Sequence, residues 1–85
     1  MTHSGELQFI EQEDGLAFIH AYGGEAHEIT VTYECLEGKL GADASFDSRG
    51  QKLQQHLWPL IKIAESKIDE GQLPIISSRD VRIED

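Results

Sequence analysis

The hydrophobic pattern is clearest in two β-prone runs, residues 16–22 and 25–33, on either side of Gly23-Gly24. A Gly-Gly pair supplies the positive φ that both central residues of a type I′ hairpin turn need. A two-residue turn sets the register by counting: Tyr22 opposes Glu25, His20 opposes His27, Phe18 opposes Ile29 and Leu16 opposes Val31. One face then carries Leu16, Phe18, Ile29 and Val31, with both histidines toward the turn. The other carries Ala17, Ile19, Ala21, Glu28, Thr30 and Thr32. The first face is expected to meet the core. The second is mixed in character.

Upstream, residues 6–10 alternate over a short stretch and lead into a polar turn at 11–15. Downstream, Thr32 is placed to cap a short helix over 33–40, its hydroxyl accepting a free first-turn amide, and Gly41 suits the left-handed position after it. A loop over 41–45 follows. From a start between Ser45 and Ser48 to about Glu70, apolar residues recur at Phe46, Leu53, Leu57, Leu60, Ile61, Ala64 and Ile68, the three-four spacing of one buried helical stripe. Ser48 with Gln51 fits a capping box, and Gly71 followed by Pro74 ends the helix. Pro59 interrupts it, because proline cannot donate to the carbonyl four residues back and its ring crowds that carbonyl. The stripe stays in phase across Pro59, which favours a kink near residues 55–58 over a fresh helix starting at the proline. Residues 73–77 read as a last strand, with Val81 and Ile83 extending it or packing beside it. The fold class is therefore α+β: one domain over residues 1–85, a small, mainly antiparallel sheet in β-β-β-α-α-β order packed on one long C-terminal helix kinked near Pro59.

Charge changes the picture more than length does. Seven Lys and Arg stand against sixteen Asp and Glu, a formal net charge of -9, and the first 38 residues hold eight of the acids and no Lys or Arg. Binding to nucleic acid or to anionic lipid relies on cationic side chains, so neither is an expected partner. The N-terminal half is expected to steer basic partners toward itself and also to keep the protein soluble. A single cysteine, Cys35, rules out an internal disulfide and a multi-cysteine zinc site. With no signal-peptide pattern at Met1-Thr2-His3-Ser4-Gly5-Glu6 and no apolar span, a cytoplasmic location and no membrane partner are expected.

The order of Leu16-Ala17-Phe18, Gly23-Gly24, Ile29-Thr30-Val31-Thr32, Cys35-Leu36 and Leu40-Gly41 resembles the small bacterial proteins grouped as domain of unknown function 1488. The similarity continues through residues 53–61, Ala64, Lys67-Ile68, Gly71 and Ile76-Ser77-Ser78-Arg79-Asp80. It covers about residues 7–81 and rests on hydrophobic spacing and glycines in a set order. Pro59 departs from the uninterrupted helix expected of such proteins. The resemblance implies an α+β domain with several strands and a long helix. It brings no activity, so it assigns no catalytic or cofactor-binding residue.

Candidate chemistry comes from the side chains alone. Opposed on the hairpin, His20 and His27 have Cβ atoms about 5 Å apart, within reach of a shared transition metal if Glu25 or His3 supplied a further ligand. Asp43, Ser45 and Asp47 lack the glycine and the bidentate Glu of a calcium loop. Cys35 beside Leu36 fits packing better than nucleophilic catalysis. Ser77, Ser78 and Asp80 match no nucleophile motif and suit a turn or a helix cap. Lys52, Lys62, Lys67 and Arg49 are interspersed with acids along the helix, as on a solvated face. Trp58, slightly off the buried stripe, is either a cover for the sheet edge or a binding hot spot. The expected function is noncatalytic, with no cofactor: protein interaction or homo-oligomerisation, with metal or small-molecule binding at His20/His27 as the alternative.

Overall fold

The Gly23-Gly24 turn closes a long hairpin, and the rest of the chain is built around it. In the computed structural model, which describes residues 9–81, strands β2 (Gly15–Tyr22) and β3 (Glu25–Thr32) pair antiparallel in the register the turn predicts, Leu16 to Val31, Phe18 to Ile29, His20 to His27 and Tyr22 to Glu25. Both turn glycines take positive φ, 64° and 83°, as a type I′ turn demands. Two very short strands flank the hairpin: β1 (Ile10–Glu11), antiparallel to β2, and β4 (Ile75–Ile76), parallel to β3. The sheet is thus mixed, in the spatial order β1-β2-β3-β4. Of the first expected strand only Phe9 and Ile10 are described; residues 6–8, like His3, Ile83 and the C-terminal tail, lie outside the described residues.

Between β3 and β4 come three helices rather than the expected two: α1 (Tyr33–Gly38), α2 (Phe46–Gln55) and α3 (Leu57–Asp69). Thr32 caps α1, its hydroxyl accepting from the Cys35 amide at 3.2 Å. Ser45 caps α2 by accepting from the Ser48 amide. The capping box expected of Ser48 is replaced by a bond from the Asp43 amide to the Ser48 hydroxyl. At the far end of α3, Gly71 (φ 78°) donates to Ile68 and Gln72 donates to Lys67, the paired bonds of a Schellman motif.

The single kinked helix is corrected to two. Pro59 has no N–H for the Gln55 carbonyl, and its ring would press on that carbonyl in a continuous helix. The chain opens instead at His56 (φ -110°, ψ 26°), and α3 restarts so that Pro59 falls in its first turn, where an N–H has no helical partner to lose. The break is hidden in the sequence because Leu53 of α2 and Leu60 and Ala64 of α3 all remain buried. The stripe is imperfect at its start, since Phe46 is exposed.

One core results, in which Leu16, Phe18, Ile29, Val31 and Ile76 of the sheet meet Cys35, Leu36, Leu40, Leu53, Leu60, Ala64 and Val81. Phe9 closes one end, edge-on to Phe18 with ring centres 6.5 Å apart. Arg49, expected on a solvated face, instead lies 4.1 Å over the Tyr33 ring and donates to Glu37 at 2.9 Å. Tyr33 in turn donates to the Gln12 carbonyl at 2.7 Å, tying α1 and α2 to the β1–β2 connection. A guanidinium stacks on an aromatic face and forks onto a carboxylate at once, which a lysine does not do.

Candidate interaction surface

Strand pairing places Ile10, Ala17, Thr30 and Ile75 in one row across all four strands. Side chains opposite each other point to the same side of a sheet, and the next pair along points to the other. The neighbouring row, with Leu16, Val31 and Ile76, is completely buried. The Ile10 row is therefore the outer face. Among the described residues no helix covers it: Ile10 and Ile75 are each 45% exposed and Ile19, two residues along β2, is 53% exposed, while Ala17 between them is fully buried. Ala21 and Ala26, paired with each other, extend the same face toward the turn. At its other end the Gln12 side chain accepts from the Thr30 hydroxyl at 3.1 Å.

Acidic side chains stand on and beside this face. Glu28 lies directly opposite Ile19, and Glu13 and Asp14, in the turn that leads into β2, are exposed. Residues 9–38, which supply three of the four strands, contain no Lys or Arg. An apolar patch beside charge of one sign is a recognisable surface for association. Alternation in β2 could not announce it, because Ala17, Ile19 and Ala21 are as apolar as the residues facing the core. Ile10 and Ile75 join the patch only through pairing between strands far apart in the chain.

The hairpin end is polar. His20 and His27 oppose each other as the register predicts, but their rings are engaged separately: His20 Nε2 lies 2.9 Å from Glu65 Oε2, and His27 Nε2 lies 3.0 Å from the Tyr22 carbonyl oxygen. Tyr22 donates to both carboxylate oxygens of Asp69 at 2.9 Å. That hydrogen bond, with lost hydration and the nearby Asp69 and Glu65 charges, holds the Tyr22 phenol above its ordinary value. Glu65 and Asp69 are one helical turn apart, so α3 offers both to the hairpin from one face. Among the described residues no group of three or more His, Cys, Asp or Glu is placed to hold a metal ion.

Trp58 lies on α3 with 74% of its surface exposed, so it does not cover the sheet. Trp58→Ala is expected to change stability by less than about 0.5 kcal/mol, as surface substitutions do, measured by denaturant unfolding followed by far-ultraviolet circular dichroism. A loss above 1 kcal/mol would show the indole to be packed.

Cys35 is buried in the core. Burial pushes its thiol up to about 11, with the Asp80 charge adding to the effect and Lys39 partly offsetting it. The thiol is therefore protonated at neutral pH, and the thiolate is the reactive form. Native Cys35 is expected to react with a disulfide reagent far more slowly at pH 7.5 than an unfolded control. Because its folded pKa is raised, the associated stability is full below the ordinary thiol value and is lost as pH rises through about 11. Labelling at the rate of a free thiol would place Cys35 at the surface.

Among the described residues no helix is long and apolar enough to cross a membrane. Comparison of the chain with protein-family models, with curated proteins and with solved structures returns no match.

Proposed function

We propose that this chain is a noncatalytic, cytoplasmic protein-interaction domain, and that it docks a basic partner across the outer face of its sheet. The observation that carries this reading is the exposure of Ile10, Ile19 and Ile75 on one face that no described helix covers. Hydrophobic association supplies the driving force. Charge selects the partner: the acids on and beside the face favour apolar residues flanked by lysine or arginine and speed their encounter. A second copy of the chain is the poorer fit, since joining two such faces would juxtapose two sets of like charges. The resemblance to domain of unknown function 1488 is compatible with this reading and adds no activity to it. Cys35 is no candidate nucleophile, since its thiol is buried and protonated.

The test is an NMR titration with two synthetic peptides of alternating valine and charge, one with lysine and one with glutamate. The lysine peptide is expected to shift the amides of Ile10, Ala17, Ile19, Thr30 and Ile75, with saturation, while the glutamate peptide leaves them in place. Ile19→Glu, at an exposed position, is expected to abolish the shifts with the fold intact. Equal responses to both peptides, or shifts confined to another surface, would refute the proposal. Sedimentation that finds a stable dimer dissociated by Ile19→Glu would make the occupant a second copy.

A further inference from the structure

On the side of the molecule where α1, α3 and β4 come together, the chain forms a cleft of about 680 Å³ lined by Glu34, Lys39, Lys67, Ile75, Ser77, Ser78, Arg79 and Asp80. Small-molecule sites have volumes of roughly 300–1,000 Å³, so its size suits a metabolite. Its charge is the opposite of what the whole chain predicts. In a protein with a formal charge of -9, three cations converge here against two carboxylates.

The two carboxylates do not neutralise the three cations evenly. Burial alone would raise the Asp80 pKa, but its bonds from the Ser77 amide and hydroxyl and its contact with Lys67 outweigh that and hold it below the ordinary carboxylate range. One Asp80 oxygen takes the Ser77 amide at 2.9 Å and the Ser77 hydroxyl at 3.0 Å; the other lies 3.3 Å from the Lys67 ammonium. Asp80 thus serves as a positioning residue, pinning Lys67 and the turn over Ser78–Asp80. Among the described residues Lys39 and Arg79 pair with no carboxylate, and both side chains are exposed.

We infer that this cleft binds a small phosphate monoester, with Lys39, Lys67 and Arg79 around its phosphate and Ile75 against the organic group. A fork of guanidinium donors suits phosphate oxygens, ammonium groups act as point charges, and the Ser78 hydroxyl adds a further donor. A dianion with three acceptor oxygens uses cations on three sides, whereas one guanidinium already satisfies a carboxylate. A nucleic acid is the wrong size of ligand: its binding needs cations spread along a backbone, and this chain gathers them at one point.

The experiment is a second NMR titration of the full chain, with inorganic phosphate, phenyl phosphate and benzoate as probes and sodium chloride at matched ionic strength as control. Phenyl phosphate is expected to give saturable shifts at Lys39, Ile75, Ser78, Arg79 and Asp80, binding at least threefold more tightly than inorganic phosphate because of Ile75. Lys39→Ala and Arg79→Ala, both at exposed positions, are each expected to weaken it about tenfold, the loss of one charge-assisted contact, while the dispersed spectrum shows that the fold is kept. Shifts that chloride reproduces, or that survive both substitutions, would overturn the site. Benzoate binding as tightly as phenyl phosphate would overturn the choice of phosphate. Because the cleft and the outer sheet face share only Ile75, a failure here leaves the amides of Ile10 and Ile19 free to report separately on partner docking.

Discussion

Phe18→Ala is expected to cost about 3–5 kcal/mol, the range for removing a fully buried aromatic ring. Phe18 is 1% exposed at the centre of β2, with the Phe9 ring edge-on to it. An 85-residue domain has about 4–13 kcal/mol of stability in total at typical values per residue, so this one change uses much of it. Ile19→Ala, one position along the same strand, is expected to cost less than about 0.5 kcal/mol because that side chain faces solvent. Guanidinium unfolding of the two variants reads the difference directly. Equal losses would mean that the outer face is covered.

Gly15→Ala is the second large effect, and it acts through the backbone. A Cβ at Gly15 would lie 2.3 Å from the Val31 carbonyl oxygen and 2.9 Å from the Thr32 Cα. Neither atom belongs to a flexible side chain, so the strands themselves must part. The disturbed pair, Gly15 with Thr32, is where the hairpin hands over to α1, and it adjoins the Tyr33 amide bond to the Asp14 carbonyl. Loss of the Thr32 cap would add to the steric cost. A destabilisation of about 3 kcal/mol or more is expected, lowering Tm by more than about 10 °C in a domain of this size. Gly38→Ala supplies the control: nothing lies within 4 Å of a Cβ there, and alanine in a helix is neutral or better than glycine. Comparable losses at the two positions would refute the close approach.

The parts of the fold legible in the sequence are those governed by local rules. A two-residue turn leaves no freedom in register, so pairings from Leu16–Val31 to Tyr22–Glu25 follow from two adjacent glycines. Thr32 and Gly71 act within a few residues of themselves, and their roles as helix cap and helix stop are equally readable. Pro59 was legible as a disturbance but not in its outcome. A kink and a break keep the same buried stripe, and the choice falls on the backbone of His56, where no side-chain pattern points. The parallel pairing of β4 beside β3 had no local signal at all. Nor had the outer face, since Ile10, Ile19 and Ile75 come onto one face only once four strands are in place. The same holds for His20 with Glu65, for Arg49 on Tyr33, and for Lys67 with Asp80: each is a contact across the fold between residues that are ordinary where they stand in the chain.

The open outer face is the claim from which the proposed function proceeds, and isoleucine methyl NMR with a soluble gadolinium chelate tests it most directly. Ile10, Ile19 and Ile75 methyl signals are predicted to broaden strongly as the chelate is added, while those of Ile29 and Ile76, on the buried side of the same sheet, stay sharp. Protection of Ile19 and Ile75, or broadening of Ile29, would contradict it.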